Sequence, residues 1–100
     1  MRRLPEALER VLRDFCERWG CEVLVFGSWA RGEADPTDID LMLRATREIP
    51  DHALAELRWA LEEAPLIYRV DIVRYETAPT ALRAAAEKEG FLWTPDNDST

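Results

Sequence analysis

The feature that most constrains this chain is what separates two strand-like runs. "DIDLMLR", Asp38 to Arg44, alternates polar and apolar residues with period two, and "YRVDIVRY", Tyr68 to Tyr75, does so again. Between them "IPDHALAELRWALEEAP" carries Leu54, Leu57, Leu61 and Ala64 at helical spacing, with Asp51 as the expected N-cap and Pro65 just past the end. A helix of about fourteen residues is the connection that parallel strands require, and such crossovers are right-handed. The two runs are therefore expected to be parallel neighbours.

The remaining elements fit around that unit. Leu8, Val11, Leu12, Phe15 and Trp19 give a helix from about Pro5 to Trp19, stopped by Gly20. "EVLVF", Glu22 to Phe26, is a short buried strand, broken by Gly27-Ser28; "WARG" is a helical turn and "ADPT" a loop. So short an excursion suits an antiparallel pairing with the next strand. "APTALRAAAEKEG" is the last helix with Gly90 as its stop, "FLW" is expected to dock on the core, and "TPDNDST" is polar. The expected fold is α/β (α+β): a three-stranded mixed sheet flanked by about four helices. A single domain is expected over residues 1–93, with a disordered tail at 94–100.

Composition narrows the class. A chain of 100 residues with 47% hydrophobic content makes one globular domain. No apolar run approaches the ~20 residues of a membrane span, and "MRRLPEALERVLRDF" lacks the continuous apolar core of a secretory signal. A cytoplasmic protein is the expectation. Cys16 and Cys21 form no CxxC and have no histidine cluster nearby, so they are read as reduced thiols. The net charge of −7 argues against broad electrostatic binding to nucleic acid, but not against a nucleotide arriving with metal cations.

The charged positions in the strands carry the chemistry. Asp38 and Asp40 share one face of their strand, while Ile39, Leu41 and Leu43 point the other way. Asp71 sits in "VDIV", again between apolar residues. With antiparallel and parallel pairing as above, Gly27, Ser28, Asp38, Asp40 and Asp71 converge on one edge of the sheet. Three carboxylates held together repel one another unless a cation lies between them. Oxygen-only ligands favour a hard ion such as Mg²⁺ or Mn²⁺. Gly27 lets the backbone approach a ligand, and Ser28 opens a short helix whose N–H groups suit a phosphate. A phosphate cradle facing carboxylates is equipment for phosphoryl or nucleotidyl transfer, and the GxxxxGK[ST] loop is absent.

"GSWARGEADPTDIDLML" followed by "VDIV" resembles the minimal nucleotidyltransferases (MNT) of the DNA polymerase β-like superfamily. Their pattern is Gly-Ser, a spacer, Asp-x-Asp at a strand start, and a third acid on a later strand. The resemblance covers nearly the whole chain. Nine residues separate Ser28 from Asp38 where the family typically has about ten. The resemblance implies that Gly27 and Ser28 hold the β- and γ-phosphates of ATP. It implies that Asp38 and Asp40 ligate two Mg²⁺ ions, with Asp71 completing the site for the ion that activates the attacking hydroxyl. An acceptor hydroxyl would then attack the α-phosphorus and release pyrophosphate. Such proteins are often antitoxins, and some transfer AMP to a tyrosine of a HEPN-domain RNase toxin. The competing expectation is a binding module that neutralises a HEPN toxin by contact, which the shortened spacer favours. With no room for an acceptor-binding domain after residue 90, a second subunit, identical or not, is the expected source of the acceptor site.

Blander roles stand beside these. Arg31 suits a phosphate or an ion pair with Glu33 or Asp35. Ser28 suits a helix cap. Asp71 suits an ion pair with Arg69 or Arg44. Trp29 suits a nucleotide base, the first helix or a partner. His52 is read as surface. Trp59, outside the leucine stripe, points to a partner or dimer surface.

Overall fold

The computed structural model describes residues 3–95. Its elements run α1 (Glu6–Trp19), β1 (Cys21–Phe26), α2 (Gly27–Arg31), β2 (Asp38–Ala45), α3 (Asp51–Glu63), β3 (Arg69–Arg74), α4 (Thr80–Glu89) and β4 (Phe91–Trp93). The sheet order is β3-β2-β1-β4. β2 and β3 are parallel across the α3 crossover, and β1 is antiparallel to both β2 and β4.

The sheet has four strands rather than three. "FLW" does dock, by pairing Val23 with Trp93 and Val25 with Phe91. Three residues are too few for alternation to register as a strand. Gly90 matters here for space rather than conformation. A Cβ at this position would collide with the Val25 carbonyl oxygen and lie 2.6 Å from that of Ala86. Trp93 is buried, and its Nε1 donates to Oε2 of the buried Glu9 at 3.2 Å, tying β4 to α1. Arg3 donates to the other Glu9 oxygen at 3.0 Å, so the buried carboxylate is paired.

Ile39, Leu41 and Leu43 enter the main core with Leu8, Leu12 and Phe15 of α1 and Leu54, Leu57 and Leu61 of α3. The opposite face of β2 is not uniformly polar. Met42, which shares it with Asp38 and Asp40, is fully buried in a second cluster with Leu24, Ala78 and Ala86. α4 covers the far part of that face, and the aspartates lie where its cover ends. The expected cap at Asp51 is corrected: Pro50 is the N-cap residue, and no side chain caps α3. Asp51 instead accepts from Arg74 Nη2 at 2.8 Å. The tail expectation falls mostly on residues 96–100, outside the described residues; Thr94 and Pro95 are half-buried.

Candidate active site

The register lines up a row across three strands. Phe26 at the end of β1 faces Asp40 of β2, and Asp40 faces Asp71 of β3. Asp38, two residues earlier on β2, faces Arg69. Neighbouring strands lie about 4.8 Å apart, so Asp40 and Asp71 are close like charges. The pKa of Asp40 is raised, first by burial, then by the charges of Asp71 and Asp38, with the Arg31 charge opposing.

Gly27 completes the row from the β1 side. It has φ +75, and a Cβ built on it would collide with the Asp40 carboxylate, whose Cγ would be 3.2 Å away. The glycine thus supplies both the left-handed turn out of β1 and the space in which the Asp40 carboxylate rests. Ser28 follows in α2, whose N-cap residue is Phe26, with no side-chain cap. The capping role for Ser28 is therefore not used.

Other sequence-derived positions are placed as follows. Arg31 is exposed and donates through Nε to Glu33 at 2.8 Å and through Nη1 to Glu89 at 3.2 Å, joining α2 to the end of α4. Its partners are Glu33 and Glu89, not Asp35. Trp29 is buried in the main core and meets Tyr68 edge-to-face at 4.9 Å, so it is not set to stack on a base. Asp71 is exposed and lies 3.8 Å from Arg69 Nε. His52 is exposed, and so is Trp59, at 64%.

The three aspartates share one edge without closing into a cage. Among the described residues, no group of three or more His, Cys, Asp or Glu side chains is gathered closely enough to hold a metal ion. The donor chemistry still fits a hard cation, because all three side chains offer carboxylate oxygen and Asp40 bears the cost of its neighbours' charge. Mg²⁺ commonly takes one or two carboxylates and completes its shell with substrate phosphates and water, so a closed protein cage is not required.

One part of the site had no signal in the sequence. A cavity of about 660 Å³ runs along the outer side of β3, lined by Asp71, Arg69 and Ile72 with Arg58, Leu61 and Glu62 of α3. β3 is an edge strand, and Arg58 Nη2 donates to the Ile72 carbonyl at 3.3 Å on that open side. Arg58 lies in a helix 13 residues before Asp71, and only the α3 crossover brings the two to one groove.

Comparison with known proteins places the chain in a family. The family model described as "Polymerase beta, Nucleotidyltransferase" matches residues 22–97. A crystal structure of a mutant MntA–HpeT toxin–antitoxin pair is similar at 28% identity and TM-score 0.69, covering 96% of this chain and 77% of that one. A complex of a tri-AMPylated Shewanella oneidensis HEPN toxin with its MNT antitoxin is similar at 27% identity and TM-score 0.61, covering 89% and 68%. A toxin–antitoxin structure with AMP-PNP shares the fold at 24% identity and TM-score 0.65, covering 90% and 76%. No curated protein matches the chain. Among the described residues, no helix is long and apolar enough to cross a membrane.

Proposed function

The chain belongs to the polymerase β nucleotidyltransferase family, and from that premise we propose that it transfers AMP from ATP to a hydroxyl, most naturally a tyrosine of a HEPN-type toxin, as a cytoplasmic antitoxin. The observation that carries this reading is the row Gly27–Asp40–Asp71, with Asp38 beside it. Support for the partner comes from the similar MNT antitoxin bound to an AMPylated HEPN toxin.

In this reading Gly27 and Ser28 receive the β- and γ-phosphates. Arg31 exchanges Glu33 and Glu89 for phosphate oxygens. Asp38, Asp40 and Asp71 hold Mg²⁺, or Mn²⁺, with two ions expected. Bound there, the ions would supply charge neutralisation for the triphosphate and acidify the acceptor hydroxyl. Asp71 faces the β3 cavity and accepts the hydroxyl proton. The acceptor oxygen then bonds to the α-phosphorus, the bond from the α-phosphorus to the bridging oxygen breaks, and pyrophosphate leaves. The pKa of Asp40 is raised first by burial and then by the charges of Asp71 and Asp38, and a bound cation would oppose those charges.

The cavity beside Asp71 is the side from which the acceptor approaches. It is large enough for an aromatic side chain, and Arg58 and Arg69 can hold an extended segment by its carbonyls. The acceptor hydroxyl then belongs to the partner chain. Exposed Trp59 and Ile67, in α3 and in the loop after it, give that partner an apolar footing.

A second reading, neutralisation by contact alone, is favoured by the nine-residue spacer between Ser28 and Asp38. Co-expression with a HEPN partner separates the two. The transferase reading predicts AMP on a partner tyrosine by mass spectrometry, lost with Asp38→Asn. A partner that is bound and silenced but unmodified favours contact alone.

A further inference from the structure

Cys16 and Cys21 lie at the other end of β1 from the acidic row. Cys21 opens the strand opposite Ala45, whereas Phe26 closes it opposite Asp40. Cys16 is on the buried side of α1, and Gly20, at φ 65 and ψ 46, turns the chain between them. The two thiols are hydrogen-bonded to each other, sulfur to sulfur 3.4 Å. Both residues are buried, at 2% and 7% exposure. Cys21 is the less buried of the two. A cavity of about 460 Å³ is lined by Cys21, with Gly20, Glu22, Arg44, Thr46 and Thr94, and Cys16 is not part of its wall.

From this geometry we infer that Cys21 and Cys16 form a dithiol site for small hydroperoxides, with Cys21 the attacking sulfur and Cys16 the resolving one. The shared hydrogen bond acts oppositely on the two groups. It lowers the pKa of Cys21 against the effect of burial, and it raises that of Cys16, to which burial adds. Burial and the Glu22 charge act against the Cys21 thiolate, and Arg44, which lines the same cavity, is held by Glu22, which accepts from its Nε at 2.7 Å.

The chemistry closes with hydrogen peroxide as the oxidant. The Cys21 thiolate attacks one peroxide oxygen, the O–O bond breaks, and hydroxide leaves and is protonated to water. Cys21 becomes a sulfenic acid, oxidised by two electrons while the peroxide is reduced. The Cys16 sulfur then attacks the Cys21 sulfur, the S–O bond breaks, and the hydroxide released takes the Cys16 proton as a second water. Two thiols and one peroxide give one disulfide and two waters. The sulfurs already touch, so reaching the bonded distance of about 2.05 Å is a matter of side-chain adjustment. A cellular dithiol restores the thiols, as for transient disulfides in reducing compartments. The modification ties the end of α1 to the start of β1, away from Gly27 and Asp40.

The test treats the full chain with a modest excess of hydrogen peroxide, alkylates with N-ethylmaleimide after unfolding, and reads intact mass. The expected product is a monomer that has lost two hydrogens and takes no maleimide, restored to two maleimides by dithiothreitol. Cys16→Ala should halt at a sulfenic acid on Cys21 that dimedone labels, and Cys21→Ala should leave Cys16 unreactive at the same dose. The inference is overturned if the wild-type chain keeps two alkylatable thiols, or if its disulfide links two chains. It is overturned too if Cys16 alone reacts as fast as Cys21 alone. The wild-type mass does not depend on whether either variant folds.

Discussion

The carboxylate of Asp40 occupies the space in which a side chain on Gly27 would sit. These residues are 13 positions apart, on different elements, and the antiparallel β1–β2 register brings them together. The contact couples the turn that ends β1 to the carboxylate on which the proposed chemistry depends.

Gly27→Ala should therefore harm the site more than the fold. The left-handed φ of +75 is strained for alanine, at a cost of about 1–2 kcal/mol, and the new methyl displaces the Asp40 carboxylate. Urea denaturation should show that loss, while stabilisation by Mg-ATP should disappear.

Asp40→Asn should stabilise the chain without ligand while removing its response to ligand. The folded pKa of Asp40 is raised, first by burial and then by Asp71 and Asp38. The contribution of this group to stability is full below its unfolded pKa and is lost as pH rises through the folded value. At pH 7 the amide avoids that loss, so Tm should rise. The difference should shrink towards zero as pH falls below about 4. Mg-ATP at 100 times its dissociation constant should stabilise the wild type by about 2.7 kcal/mol and leave the variant unmoved.

Arg31→Ala should leave Tm nearly unchanged, because its ion pairs with Glu33 and Glu89 are solvent-exposed. Nucleotide affinity, read by calorimetry, should fall about tenfold through the loss of a charge-assisted hydrogen bond to phosphate. Equal affinity would remove Arg31 from the nucleotide site.

Gly90→Ala should detach the fourth strand. The methyl would meet the carbonyls of Val25 and Ala86, which belong to backbone and cannot swing aside. A loss of about 2–3 kcal/mol is expected, with faster amide exchange in Phe91–Trp93 than in β2.

What was legible in the sequence was what repeats or is spaced by the chain itself. The alternation of Ile39, Leu41 and Leu43 and the leucine stripe of α3 gave the parallel crossover, which aligned Asp40 with Asp71. Contacts decided by tertiary packing were not legible. "FLW" is too short for a period, and its strand depends on a missing Cβ at Gly90. Met42 sits on the aspartate face yet is buried, because α4 covers that part of β2. Trp29, which could have met a base, is held in the core by Tyr68. Glu89 reaches Arg31 across 58 residues, a distance at which no local pattern speaks.

The most direct measurement uses ATP labelled at the α-phosphate, with Mg²⁺ and a HEPN partner. The account predicts label on the partner with wild-type protein, none with Asp40→Asn or without the metal, and none when the label is on the γ-phosphate. No label on the partner from α-labelled ATP, or label arriving from the γ-phosphate, would contradict it.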